Sequence, residues 1–412
     1  MKWNKIRHQT NLTSKTAYAL SRRDYLKGLG LSLAGLSLLG SSCAEAQENG
    51  PRNTVKNTER STEDDLQASS RTSSYATVQD TERTTEDDLQ VSSRTSPYAN
   101  VRLFGAKGDG ETDDAQAIQT AIDSIPSRGG TIFFPSGTYR VTSGLVAPHP
   151  RIRLLGEGAA SYSESLSGAG GSGSILVADG QGITLLYIGS GTNNVEHVGP
   201  SVEHMNFADR TGNTATLLKI RLANRWNLDN CSFRDAEVGL FIDSDAASQG
   251  GSVDGGDASW GMVHQCYFTK NDYGIYVPYS GGFVVNGGSF VNEPGSSQVA
   301  ISRKGGSQLR VSNIKVDQGI GIWTEGNGGI IQGSQFEDCN PAIRLDGNEY
   351  SSNGQYNKVI GCHFYGPPDS VGVEVTSRAA DCKVALNTFS NIATENWVRD
   401  NGEGTQIFGI WI

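Results

Sequence analysis

Six segments of this 412-residue chain share one pattern: VGLFID ending at Asp243, then YGIYVP, QVAISR, GIGIWTE, PAIRLD and VGVEVT. Apolar residues alternate with others in each, the period of a strand with one buried face. The inward set reads Leu240/Ile242, Ile275/Val277, Val299/Ile301, Ile320/Ile322, Ile343/Leu345 and Val373/Val375. Alternation leaves two outward columns. One is Lys219, Phe241, Tyr276, Ala300, Gly321, Arg344, Glu374, and the next is Arg221, Asp243, Pro278, Ser302, Trp323, Asp346, Thr376. Aromatic faces stack on sugar rings, while carboxylates and guanidinium groups bind hydroxyls or uronate carboxylates. An exposed strip of this mixture suits a polysaccharide groove.

Cleaving a glycosidic bond requires two carboxyls ~5–9.5 Å apart. Residues one or two strands apart in a stack with ~4.8 Å spacing can meet that requirement. The acid/base candidates are Asp272, Glu325 and Asp346, with Tyr276, Trp323 and Arg344 as sugar contacts and Asp243 and Glu374 as further binding residues. Each also has a plainer reading. Arg344 and Glu374 are column neighbours and can form a surface ion pair worth ~0–1 kcal/mol. Trp323 and Tyr276 can pack on a loop, and Asp243 and Asp346 can belong to a solvated acidic surface. Among six histidines, His264 and His363 lie on strands without a Ser or Cys partner in the sequence, which gives a nucleophilic triad little support.

What positions these side chains is a loose repeat. Phenylalanine recurs at 207, 233, 268, 290, 336, 364 and 389, with Val316 in the gap, at spacings of 26, 35, 22, 26, 20, 28 and 25. That is one turn of a β-solenoid per repeat, eight in all. Three residues before each anchor stand His204, Asn230, Gln265, Gly287, Asn313, Gly333, Gly361 and Leu386, mostly the polar or glycine residues a tight turn requires. Cys231, Cys266 and Cys362 share an inward column as small hydrophobes. Neither a disulfide framework nor a zinc site is implied by the cysteine spacing.

Ahead of the repeat lies NVRLFGAKGDGETDDAQAIQTAIDSIPSRGGTIFFPSGTY, Asn100 to Tyr139. Thr112 is the expected N-cap, with Asp113 and Asp114 in the first turn. Ala115, Ile118, Ile122 and Ile125 give one apolar stripe before Pro126 and Gly129-Gly130 stop the helix. Such a helix can cover the open end of a strand stack, so Asp109, Asp113 and Asp114 read as capping residues rather than a metal site. The segment resembles the opening motif of the pectate lyase-like superfamily, in particular its rhamnogalacturonase/epimerase-like domains. The resemblance implies an all-β chain: one right-handed parallel β-helix with a short N-terminal capping helix.

That superfamily holds hydrolases, lyases, epimerases and non-catalytic fibres. Resemblance to polygalacturonases would place catalytic carboxylates near Asp235, Glu237, Asp272, Asp317 and Asp338, yet their Asp-Asp pair and Gly-His-Gly turn are absent. Pectate lyase-type chemistry would imply Ca2+ held by carboxylates and a base among Arg303, Lys304 and Arg344; no other cofactor is implied.

The N-terminus, SRRDYLKGLGLSLAGLSLLGSSCA, resembles a twin-arginine export signal. Cys43 follows an imperfect lipobox, and Ala44-Glu45-Ala46 offers a competing cleavage site, so a lipid anchor at Cys43 and release both stay open. Membrane contact is expected only through that anchor. Residues 58–78 recur at 81–101 with 17 of 21 positions identical, in a polar composition that cannot offset the entropy of ordering. The expected organisation is signal peptide 1–46, disordered linker 47–96 and β-helix 97–412.

The whole chain carries a formal charge of −10. Residues 1–43 hold seven Lys/Arg and one Asp, leaving 27 basic and 43 acidic side chains and a charge of −16. Such a surface argues against nucleic acid as a partner. With Arg outnumbering Lys 22 to 12, it resembles proteins secreted by salt-loving archaea. The expected role is an extracellular or cell-surface hydrolase or lyase of an acidic or neutral polysaccharide, uronate-containing polymers among them, the alternative being a non-catalytic surface protein that binds glycan or envelope components. A trimer is compatible with this architecture.

Overall fold

The computed structural model describes residues 96–158, 173–189, 197–244, 258–347 and 354–410. The expected export signal, lipobox and duplicated linker lie outside the described residues, as does the loop carrying Asp245, Asp254 and Asp257.

The described chain is a right-handed parallel β-helix in which each full coil supplies a strand to three parallel ladders. On the first ladder Val202, Leu228, Val263, Val285, Val311, Ile331, Val359 and Val384 point inward and are buried. The second carries the predicted phenylalanine series in register, including Phe290↔Val316↔Phe336. Its rings stack nearly parallel with centroids 4.7–5.2 Å apart, interrupted only by Val316. Trp397 closes the series on Phe389 at 5.5 Å. Strand spacing alone sets this stack, because identical residues one coil apart must lie about 4.8 Å from each other. The five described cysteines are buried thiols. Burial pushes Cys362 and Cys382 up to about 11, so both behave as small hydrophobes.

One residue in left-handed conformation turns the chain from the first ladder to the second. His204, Asn230, Gln265, Gly287, Asn313, Gly333, Gly361 and Leu386, the column expected to turn, all have φ between 49° and 72°. Leu386 fits the position worst: it lacks a polar side chain to support this backbone, and it is 45% exposed. Replacing it with Asn, which tolerates the conformation, is expected to stabilise the fold by about 0.5–1 kcal/mol, read as a raised Tm. Buried asparagines hold other turns. Asn387 donates to the Val359 carbonyl at 3.1 Å and accepts from the Cys362 N–H at 2.8 Å.

The helix runs Ala115–Asp123 with Asp114, not Thr112, in the cap position. Asp114 does not cap the helix with its side chain. Its carboxylate accepts from the Lys107 and Gly108 N–H groups and so shapes the preceding glycine turn. Asp109 organises its own turn through the Glu111 and Thr112 N–H groups, which, with the Thr112 hydroxyl, hold its carboxyl down to about 2. Ala115, Ile118, Ile122 and Ile125 are all buried, as the stripe requires. A contact not read from the sequence completes the cap. The Gln119 amide donates to the Val146 carbonyl and accepts from the Val146 N–H, both at 2.9 Å, and thus substitutes for a neighbouring strand on the third ladder's first strand.

Candidate functional site

The third ladder presents the strip. Its strands include Thr216–Arg221, Val238–Asp243, Tyr273–Tyr279, Val299–Arg303, Ile320–Thr324, Ile343–Leu345 and Val373–Val375. Small residues set the register. Gly239, Gly274, Gly321 and Gly372 each sit where an added Cβ would lie 2.3–3.1 Å from a ring of the phenylalanine stack. Ala300 and Ala342 occupy the equivalent places one coil along from Gly274 and Gly321.

Two residues past this small column comes the outward one: Lys219, Phe241, Tyr276, Ser302, Trp323, Arg344, Glu374. This corrects the expected column at two places. Ala300 and Gly321 are buried beside the phenylalanines, and Ser302 and Trp323 take the places assigned to them. The second outward column continues through Lys304, Glu325, Asp346 and Thr376, whose N–H groups bond to Val277, Arg303, Thr324 and Leu345. Pro278 drops out of it, since the ladder bulges there and Asp243 pairs with Tyr279. Arg303 pairs with Val277 and Thr324 on the inner side, is fully buried, and donates from Nε to the Gly305 carbonyl at 3.0 Å. It is not available as a base for a surface substrate.

The three expected acid/base carboxylates do not share one environment. Asp346 has no exposed side-chain surface. Arg378 grips both its oxygens at 3.0 and 2.8 Å, Thr376 and the Gly347 N–H donate to it, and Arg344 lies 3.6 Å away. Burial pushes its carboxyl up, but these donors outweigh burial and hold it below the usual range. That is a structural carboxylate, not a proton donor and not part of a solvated surface. Glu325 is largely buried and accepts from Lys304 Nζ at 2.8 Å. Asp272 is exposed before the Tyr273 strand and bonds Asn213 at 3.3 Å.

The predicted sugar contacts are largely engaged with one another. Trp323 lies between cations from the coils before and after it: Lys304 Nζ is 3.7 Å and Arg344 Cζ 4.8 Å from its ring centroid. Arg344 also reaches Glu374 at 3.5 Å, the ion pair that column neighbours allow. Asp243 holds Lys219 at 3.3 Å and Arg221 at 3.8 Å, with Lys219 4.5 Å over the Phe241 ring. Between these charged groups Tyr276 packs against Phe241 at 5.4 Å and Tyr273 at 5.0 Å. Burial first, then Tyr273 and the Glu325 carboxylate, raise the Tyr276 phenol above its ordinary pKa. Lys304 and Glu325 thus form an ammonium–carboxylate pair on successive coils, with the Tyr276 phenol on the coil before within electrostatic reach of the carboxylate. Tyr273 and Arg378 carried no sequence signal beyond proximity to these strands.

Of the carboxylates on the strip, Asp346 is committed to Arg378 and Glu325 to Lys304. Among the described residues no cluster of three or more metal-ligating side chains forms. These donors do not fit a calcium site, and no step is derived through one.

Residues 98–330 match the family described as rhamnogalacturonase A/epimerase, pectate lyase-like, and the chain belongs to that family. It is 61% identical over 46 residues to alginate lyase 7 of Azotobacter vinelandii, a stretch covering 11% of this chain and 5% of that protein. Over 46 residues it is 54% identical to mannuronan C5-epimerase AlgE3 of the same organism, covering 11% of this chain and 2% of that one. Among solved structures, ORF18 of Geobacillus virus E2 superposes with a TM-score of 0.53 at 20% identity, over 76% of this chain and 62% of its own. DFA-IIIase from Arthrobacter chlorophenolicus A6 without its lid gives 0.52 at 13% identity, over 76% and 94%. At these identities both speak to the fold alone.

Proposed function

We propose that the protein is a polysaccharide-active enzyme, secreted or held at the cell surface, that removes the C5 proton of a uronate residue. The single observation carrying this reading is the Tyr276–Lys304–Glu325 group at the centre of the strip. Short matches to an alginate lyase and to mannuronan epimerases support uronate as the substrate class. A hydrolase needs a carboxylic acid held protonated. Asp346, the most buried of the expected carboxylates, is instead pushed toward ionisation.

In the proposed reaction Lys304 and Arg344 neutralise the C6 carboxylate, which acidifies C5–H. Glu325 accepts that proton, the electron pair forms the C4–C5 double bond, and the C4–O bond breaks. Tyr276 gives its proton to the departing oxygen. Epimerisation shares the first step and returns a proton to the other face of C5.

A non-catalytic glycan binder is the second reading, favoured by the mutual neutralisation of Lys304 with Glu325 and Arg344 with Glu374. Incubation with alginate, polygalacturonate and a neutral β-glucan separates the readings. Unsaturated uronate ends or inverted C5 centres are expected. New reducing ends without unsaturation would make it a hydrolase, and binding without any product would make it a binder.

A further inference from the structure

A second charged surface lies on the first ladder, away from the strip. One of its two outward columns reads Asn227, Met262, Val284, Arg310, Ile330, Lys358, Lys383, Gln406 and contains no carboxylate, while the other carries Glu203 and Asp229 several coils away from the lysines. Lys358 and Lys383 are direct register partners on adjacent strands. Like charges so placed repel. The chain has 44 acidic residues with which to relieve this, yet no ion pair reaches Arg310, Lys358 or Lys383 among the described residues. Asp381 borders the column at the preceding turn without pairing to either lysine.

The turn beside Lys358 presents an aromatic ring to solvent. Tyr356 has φ 60° and is 58% exposed. Its N–H bonds to Ala380, and the equivalent residues of neighbouring coils, Gln308, Gly328, Asp381 and Gly404, share its left-handed conformation. A bulky side chain in this conformation is strained, and here it earns no burial. On the other side of the lysines, Phe408 is 47% exposed with Lys383 Nζ 5.7 Å over its ring. Two exposed aromatic rings thus flank a row of unneutralised cations on an otherwise acidic protein.

We infer that this face, centred on Lys358 and Lys383, is a second binding surface for the acidic polysaccharide. The inference rests on the proposed uronate substrate. The cations meet carboxylates spaced along one glycan chain, and Tyr356 and Phe408 receive sugar faces. The surface would hold polymer while the third ladder acts on it.

The test is affinity electrophoresis of the full-length protein through gels containing alginate, with turnover of short uronate oligomers measured in parallel. Wild type is expected to be retarded by the polymer. Lys358→Glu/Lys383→Glu should weaken that retardation at least five-fold, flatten its salt dependence, and leave oligomer turnover unchanged. Arg344→Ala on the strip should do the reverse. Tyr356→Asn, which removes the ring and tolerates the left-handed turn, should also weaken retardation. Unchanged retardation of both first-ladder variants would overturn the inference. So would a wild type that alginate does not retard but that turns over oligomers, and the proposed function would then survive without a second surface. Absence of turnover with retardation lost in the first-ladder variants would uphold the surface and remove the enzyme reading.

Discussion

Replacing Tyr276 with Phe is expected to lower turnover of a polyuronate by ~10²–10⁴-fold, the range for removing one positioned proton donor. The ring itself has a structural task, since it packs against Phe241 and Tyr273. Phe keeps those contacts, so folding and KM should change little and the loss should fall on kcat. Burial, Tyr273 and Glu325 all raise the phenol pKa. The donor form is therefore present through the neutral range and is lost only as pH rises past a value above the ordinary tyrosine range. An activity limb that falls with Tyr276 ionisation should appear in alkali and be missing from the Phe variant. Equal kcat in the two proteins would remove Tyr276 from the chemistry.

Arg378→Ala carries the largest expected effect on stability. Asp346 is fully enclosed, and Arg378 supplies two of its hydrogen bonds. Removing one partner of a buried pair leaves an uncompensated charge, which costs roughly 3–5 kcal/mol. Arg378 is itself half exposed and Arg344 stays 3.6 Å from the carboxylate, so about 2–4 kcal/mol is the expected loss near neutral pH. The pH dependence gives the sharper check. In the wild type the Asp346 pKa is depressed, so its stabilising contribution is present above the unfolded aspartate value and is lost as pH falls through the folded one. Without Arg378 the largest of the interactions lowering it is gone and the pKa rises. The penalty is then felt at neutral pH and relieved on acidification. Denaturant unfolding at several pH values should show the gap between the two proteins narrowing toward acid. A constant gap would mean that Arg378 acts through packing alone.

Much of the fold was legible because ladders repeat the same side chain at the same place. The phenylalanine series and its Val316 gap, the turn column and the helical stripe were all read from residue types. The strip was legible as a surface but not in register. Ala300 and Gly321 follow the alternation as well as Ser302 and Trp323 do, so period alone could not place them. Small size could have. Gly239, Gly274, Ala300, Gly321, Ala342 and Gly372 stand where the chain passes the phenylalanine stack, and aligning them yields the observed column. Arg303 shows the opposite limit. Alternation from Val299 and Ile301 already puts it on the inner face, but a charged side chain there reads against burial, and the structure buries it. Asp346 looked like a surface carboxylate because Arg378, which buries and neutralises it, lies beyond the strand that pairs with its own. Pro278 did carry a usable signal, since a residue without an N–H interrupts a ladder.

The most direct test of the proposed function is to follow the C5 proton itself. A polyuronate such as alginate would be incubated in deuterated water with the wild type and, separately, with Tyr276→Phe and Glu325→Gln, and its C5–H signal recorded by proton NMR. The wild type should erase that signal, through elimination or exchange, and Glu325→Gln should leave it intact. Chain scission by the wild type with every C5–H retained would contradict the account and return the strip to hydrolysis.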